Sequence, residues 1–185
     1  ATLITMTAYR GLSMIITDGK PISRLAASVK TEGGQFFFKV IGKGNIEIGP
    51  VADPFISIPI PVIILLIALA IFYFVLHKTT FGRKIYATGS NAKCANLVGV
   101  NTNKTKIIVY AVSGFMAALA GLIMISRLDS AQPTLGDGYE LDAIAAVALG
   151  GTSMSGGRGK IIGTFAGVLI IAVLNNGLNI LGVGY

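Results

Sequence analysis

The chain has 185 residues, is 53% hydrophobic and only 12% charged, and carries a net charge of +7. A soluble domain holds about 25% charged residues, so composition alone places this chain in the membrane class. One cysteine (Cys94) and one histidine (His77) exclude an internal disulfide, a thiolate cluster and a multi-histidine metal site.

The first apolar run, 1–17, is interrupted by Arg10 and reads as the end of a helix that exits at the turn-rich Thr17-Asp18-Gly19-Lys20-Pro21. A charge in lipid is costly, so Arg10 is expected to face protein or to lie near an interface. An external loop follows over 18–57. Within it, 18–53 holds five basic and four acidic residues. Phe36–Ile48, with apolar residues between Gly42, Gly44 and Gly49, reads as surface loop with β character or as a short hairpin.

A spanning helix is expected over 58–77. It opens on Ile58-Pro59-Ile60-Pro61, and proline is tolerated in a first helical turn because its missing N–H would be unpaired there anyway. The next connection, 78–104, is basic. Lys78, Arg83, Lys84, Lys93, Lys104 and Lys106 lie in or beside it with no acidic residue, the signature of a cytoplasmic loop and not of a nucleic-acid surface. Ala92–Val98 has the pattern of a short amphipathic helix stopped by Gly99. Composition leaves open whether it lies on the membrane surface or docks on a partner.

The third helix is expected over 105–126, with the small-residue pairs Gly114/Ala118 and Ala117/Gly121 that let helix backbones approach. Residues 127–142 hold one Arg and four acids and read as external. Glu140 and Asp142 then open a short Ala-rich helix over 140–150. No nucleophile or metal-ligand set accompanies them, so they read as capping or anchoring the start of that helix and no catalytic residue is assigned. A short, Gly-interrupted apolar segment is the pattern of a discontinuous helix beside a transport path.

Residues 150–160 are glycine-rich. Lys160 is followed by Ile161 and not Ser or Thr, and Met154 stands where a phosphate loop needs glycine, so a nucleotide cradle is excluded on spacing. Gly150, Gly151, Gly156, Gly157 and Gly159 read instead as a close-packed bend. The last helix, 161–182, carries Gly163-x-x-x-Gly167 and three asparagines, Asn175, Asn176 and Asn179. Positions 175 and 179 share a face. They either hydrogen-bond to a neighbouring helix or, with Thr152 and Ser153, line a polar path.

Three stretches carry a resemblance: GRKIYATGSNAKCANLVGV over 82–100, AQPTLGDGYELDAIAAVALGGTSMSGGRG over 131–159, and LNNGLNILGV over 174–183. With Tyr9-Arg10-Gly11 and Thr17–Ile22, they resemble the permease subunits of ribose/galactose-type ABC sugar importers nearly end to end. Family members are longer, so the chain resembles the C-terminal part of such a permease, without its last helix.

The resemblance implies an all-α polytopic transmembrane bundle with a short discontinuous helix and a Gly-rich bend, in the bacterial plasma (inner) membrane. It implies an ATPase-coupling helix over Asn91, Ala92, Lys93, Cys94, Ala95, Leu97, Val98 and Gly99, although Lys93 and Cys94 stand where two alanines are common. The apolar face of that helix is expected from Ala95, Leu97 and Val98. The implied function is import of ribose or a similar monosaccharide. The implied partners are a cytoplasmic ABC ATPase, an extracellular or periplasmic sugar-binding protein, a second permease copy and membrane lipid, with no nucleic acid. No cofactor or metal is expected on this chain. The alternatives are a branched-chain amino acid permease, an integral-membrane enzyme, which wants clustered His, Asp or Glu, and a scaffold subunit.

Overall fold

The structure is a computed structural model and describes residues 2–23, 25, 39–48 and 56–182. It packs as two units, Ala1–Ile67 with Ser113–Leu135, and Ala68–Val112 with Gly136–Tyr185.

In the first unit, α1 spans Thr2–Thr17 and ends where Asp18 (φ 51) and Gly19 (φ 66) turn the chain into left-handed geometry. The Gly19 N–H reaches back 3.0 Å to the Met14 carbonyl and closes the last turn. Strand β1 (Ile22–Ser23) pairs antiparallel with β4 (Ser130–Ala131). Strand β2 (Asn45–Ile48) pairs antiparallel with β3 (Ile56–Pro59), Asn45 opposite Pro59. The β character expected near Phe36–Ile48 is therefore present, but residues 39–43 are helical and the strand's partner lies beyond Gly49. Phe36, Phe37 and Phe38 lie outside the described residues. Pro59 closes β3, and the next residue, Ile60, donates to the Gly44 carbonyl at 2.9 Å.

Among the described residues, three helices are long and apolar enough to cross a membrane: α2 (Ile60–Lys78), α5 (Thr102–Leu128) and α7 (Ile161–Ile180). They stand where the sequence places its 58–77, 105–126 and 161–182 segments. Helix α5, with 27 residues, extends the expected segment at both ends; its early start is set by Asn101, which caps it by accepting from the Lys104 N–H at 3.0 Å. The apolar windows of α2 and α5 contain no buried residue, and that of α7 is 6% buried. A soluble protein buries its apolar side chains. These helices turn theirs outward, which is stable only where lipid or further protein replaces water.

The second unit holds the remaining helices. Helix α3 (Thr80–Ser90) follows α2 after a tight corner in which Gly82 lies against the Leu76 backbone. Thr79 caps α3 through the Gly82 N–H. Helix α4 is Ala92–Leu97, α6 is Tyr139–Leu149, and α7 returns antiparallel against α6. Helix α3 is not expected from the sequence reading, which treats 78–104 as a loop with one short helix. In the structure Phe81, Ile85 and Thr88 are half-buried while Arg83, Lys84, Ala87 and Ser90 are exposed, so the helix is amphipathic.

Candidate functional site

Glycines decide how closely α6 and α7 approach. A Cβ added at Gly150 would stand 2.5 Å from the Gly163 carbonyl oxygen, and one at Gly167 would overlap the Ala146 carbonyl. Ala146 and Gly167 are themselves buried. The Gly163-x-x-x-Gly167 face is thus the seam against α6.

Above this seam the helices diverge into an open cleft of about 450 Å³. Tyr139, Asp142, Ala143 and Ala146 line it from one stripe of α6; Val168, Ile171, Ala172, Asn175 and Asn179 line it from one stripe of α7. The Asn175 amide donates to the Asp142 carboxylate at 3.1 Å, bridging the two helices. A carboxylate–amide pair in a mostly apolar cleft, with Asn179 and Tyr139 as the other polar side chains, is costly to desolvate, which makes it a functional-site hypothesis by default.

The sequence-derived path is split by the structure. Half-buried Asn175 and exposed Asn179 line the α6–α7 cleft, whereas Asn176, also exposed, does not. Thr152 and Ser153 lie elsewhere, in a second cleft of about 350 Å³ at the glycine bend. Helix α7 rises about 16 Å between Thr164, at the bend, and Asn175, so the two sets cannot meet at one small ligand. Asp142 and Tyr139 were missed as cleft residues. The signal was available, since 139, 142, 143 and 146 fall on one helical face. Asp142 does not cap α6; the N-cap is Gly138 (φ 83), without a side-chain hydrogen bond.

At the bend, α6 ends in a Schellman closure. Gly151 (φ 78) takes the left-handed position, its N–H bonds the Ala148 carbonyl, and the Thr152 N–H bonds the Val147 carbonyl. Gly156 (φ 88) and Gly157 (φ 74) continue the bend and press on α3. A Cβ at Gly89 would lie 2.8 Å from the Gly157 nitrogen. Tyr86 donates its hydroxyl to the Gly159 carbonyl at 2.9 Å.

The candidate coupling segment starts at this contact. Asn91 ends α3 and caps α4, its side chain accepting from the Lys93 and Cys94 N–H groups at 3.0 and 3.1 Å. Gly99 (φ 84) closes α4, with the Val100 N–H on the Ala95 carbonyl. Ala92 is half-buried, and Lys93 and Cys94 are exposed. Leu97 is 87% and Val98 78% exposed, but Ala95 is 3% exposed. Ala95 therefore faces inward, unlike the other two residues of the expected docking face. Among the described residues, no three His, Cys, Asp or Glu side chains are grouped to hold a metal ion.

Residues 1–184 match the sequence profile of the family described as "Branched-chain amino acid transport system / permease component". The chain belongs to this permease family. The ribose import permease protein RbsC of Bacillus subtilis (strain 168) is 51% identical over 183 residues, 99% of this chain and 52% of the relative. The ribose import permease protein RbsC of Escherichia coli (strain K12) is 49% identical over 183 residues, 99% of this chain and 53% of the relative. The L-arabinose transport system permease protein AraH of the same strain is 41% identical over 182 residues, 98% and 50% respectively. The chain thus spans about half the length of the curated relatives it matches. No solved structure matches it. Membership and the apolar spans make it a multi-pass protein of the bacterial inner membrane.

Proposed function

We propose that this chain is part of the transmembrane permease subunit of an importer for ribose or a similar monosaccharide, driven by ATP hydrolysed on a separate ABC ATPase. The observation that carries the reading is the identity of about half of its residues to ribose import permeases across 99% of the chain. In this reading the chain performs no covalent chemistry and binds no cofactor. An external binding protein delivers the sugar, α4 meets the ATPase through Leu97 and Val98, and a second permease copy completes the path. A sugar is neutral and rich in hydroxyls, so amides and a carboxylate suit it better than a ring of charges. Asn175, Asn179 and Asp142 supply such groups, and Tyr139 adds an aromatic surface.

A second reading, import of branched-chain amino acids, is favoured by the family's description. Uptake of labelled ribose, L-arabinose, galactose and leucine separates the two. The full-length subunit is expressed with its ATPase and binding protein in cells lacking their own importers. Saturable, ATPase-dependent ribose uptake is the expected result. Leucine uptake alone transfers the function to amino acids, and no uptake by correctly inserted protein leaves a scaffold role.

A further inference from the structure

Two cavities in the second unit share a wall residue, Ile161. The first, about 270 Å³, is lined by Leu69, Ala70, Tyr73, Ile161, Ile162 and Phe165. The second is the 350 Å³ cleft at the glycine bend, whose walls include Leu76 from α2 and whose rim carries Arg158 and Lys160. Ile161 lines both, and α2 contributes Leu69 and Tyr73 to one and Leu76 to the other. They adjoin at Ile161: the first lies between α2 and α7, the second is walled by α3, the glycine bend and the start of α7, and together they make a groove apolar along the span and basic at its end.

We propose that this groove seats one anionic phospholipid, its phosphodiester at Arg158 and Lys160 and an acyl chain along Leu69, Tyr73 and Phe165. Both basic side chains are exposed, and no carboxylate lines either compartment. Among the described residues, neither has a carboxylate partner. The Tyr86 hydroxyl is engaged with the Gly159 carbonyl, and the Thr152 and Thr164 hydroxyls lie 3.5 Å apart, so the cationic groups are the principal attraction for a headgroup. The acid-free run Lys78–Lys106 and the pair Arg158/Lys160 share the inner side in the topology read from charge. Anionic lipids concentrate in that leaflet. The inference rests on this orientation and not on the transported substrate.

The shape of the groove selects lipid over other occupants. Leu69 stands about 13 Å inside α2 from Lys78, beyond the reach of a water-soluble ATPase. A further apolar helix filling the whole groove would press on two uncompensated cations, at a large desolvation cost. An amphiphile satisfies both ends.

The test uses the full-length permease, purified and exposed to equimolar phosphatidylglycerol and phosphatidylcholine, with retained lipid counted by native mass spectrometry. The expected result is a phosphatidylglycerol preference of tenfold or more. Arg158→Gln and Lys160→Gln should each lower it roughly fivefold, the effect of one basic charge near an anionic surface. Arg158→Lys should keep it. Photoreactive phosphatidylglycerol should label peptides containing 69–73 or 161–165. Equal retention of the two lipids, a preference unchanged in both glutamine variants, or labelling confined to other spans would each overturn the proposal. So would variants that weaken ATPase association while retaining lipid, which would assign the rim to protein.

Discussion

Two helices carry nearly the same small-residue stripe with opposite outcomes. Gly163 and Gly167 of α7 touch the α6 backbone so closely that no Cβ fits. At Gly114 and Gly121 of α5 an added Cβ would meet nothing within 4 Å among the described residues. The stripe states that a backbone is able to approach; it does not state which one does. Where the partner lies a short bend away in sequence, as α6 does, the contact closes within the chain. Along α5 the stripe is open to whatever else surrounds the permease.

The comparison breaks most visibly at the glycines themselves. Gly167→Val should cost about 3 kcal/mol or more, since the clash is with backbone that cannot rotate away. Gly114→Val on the open stripe should cost less than about 1 kcal/mol. Thermal melting of the detergent-solubilised full-length protein measures both, and an equally large loss at Gly114 would show that the α5 stripe is packed in the assembled permease.

A second contrast lies within one short helix, between inward Ala95 and outward Leu97. Leu97→Asp should lower sugar uptake more than tenfold and remove binding-protein-stimulated ATP hydrolysis while leaving membrane expression intact, as expected for an apolar anchor docked in a groove. Normal uptake would end the docking role. Ala95→Leu should instead reduce the yield of folded protein, because that position is buried.

The asparagines sharpen the comparison by a smaller amount. Asn179→Leu should raise the half-saturating sugar concentration about three- to tenfold, the value of one lost hydrogen bond to substrate. Asn175→Leu should do the same and also loosen α6 from α7. Asn176→Leu, outside the cleft, should leave uptake unchanged. If all three behave alike, the cleft is not the path.

The smallest perturbation is chemical labelling. Cys94 is exposed on the face read as cytoplasmic, so an impermeant thiol reagent should label it in inside-out vesicles and not in intact cells. Labelling from outside would invert the topology.

How far the fold was legible follows from the range of each signal. Helices α2, α5 and α7 are uncharged runs of spanning length, and hydropathy sums over one segment without reference to any other. The left-handed turns at Gly99 and Gly151 were equally local, since only glycine adopts that geometry at no steric cost. Helix α3 was hidden because its polar composition and Gly82 and Gly89 argue against a helix in isolation. Its half-buried face gains stability only against the glycine bend, 73 residues away at the Tyr86–Gly159 bond.

The grouping of polar residues was decided by tertiary structure alone. Asn175, Asn179, Thr152 and Ser153 are equally polar residues near one bend in sequence. The rise of α7 carries the asparagines away from it, and the antiparallel return brings Asp142 to Asn175 across 33 residues. The sequence by itself determined that this chain crosses a membrane, which connection is basic, and where the backbone must turn, because charge, hydropathy and glycine geometry act locally. Which polar groups share a cleft, and which apolar groups face outward on α4, depended on helix rise and backbone approach, quantities that exist only once two elements are packed together.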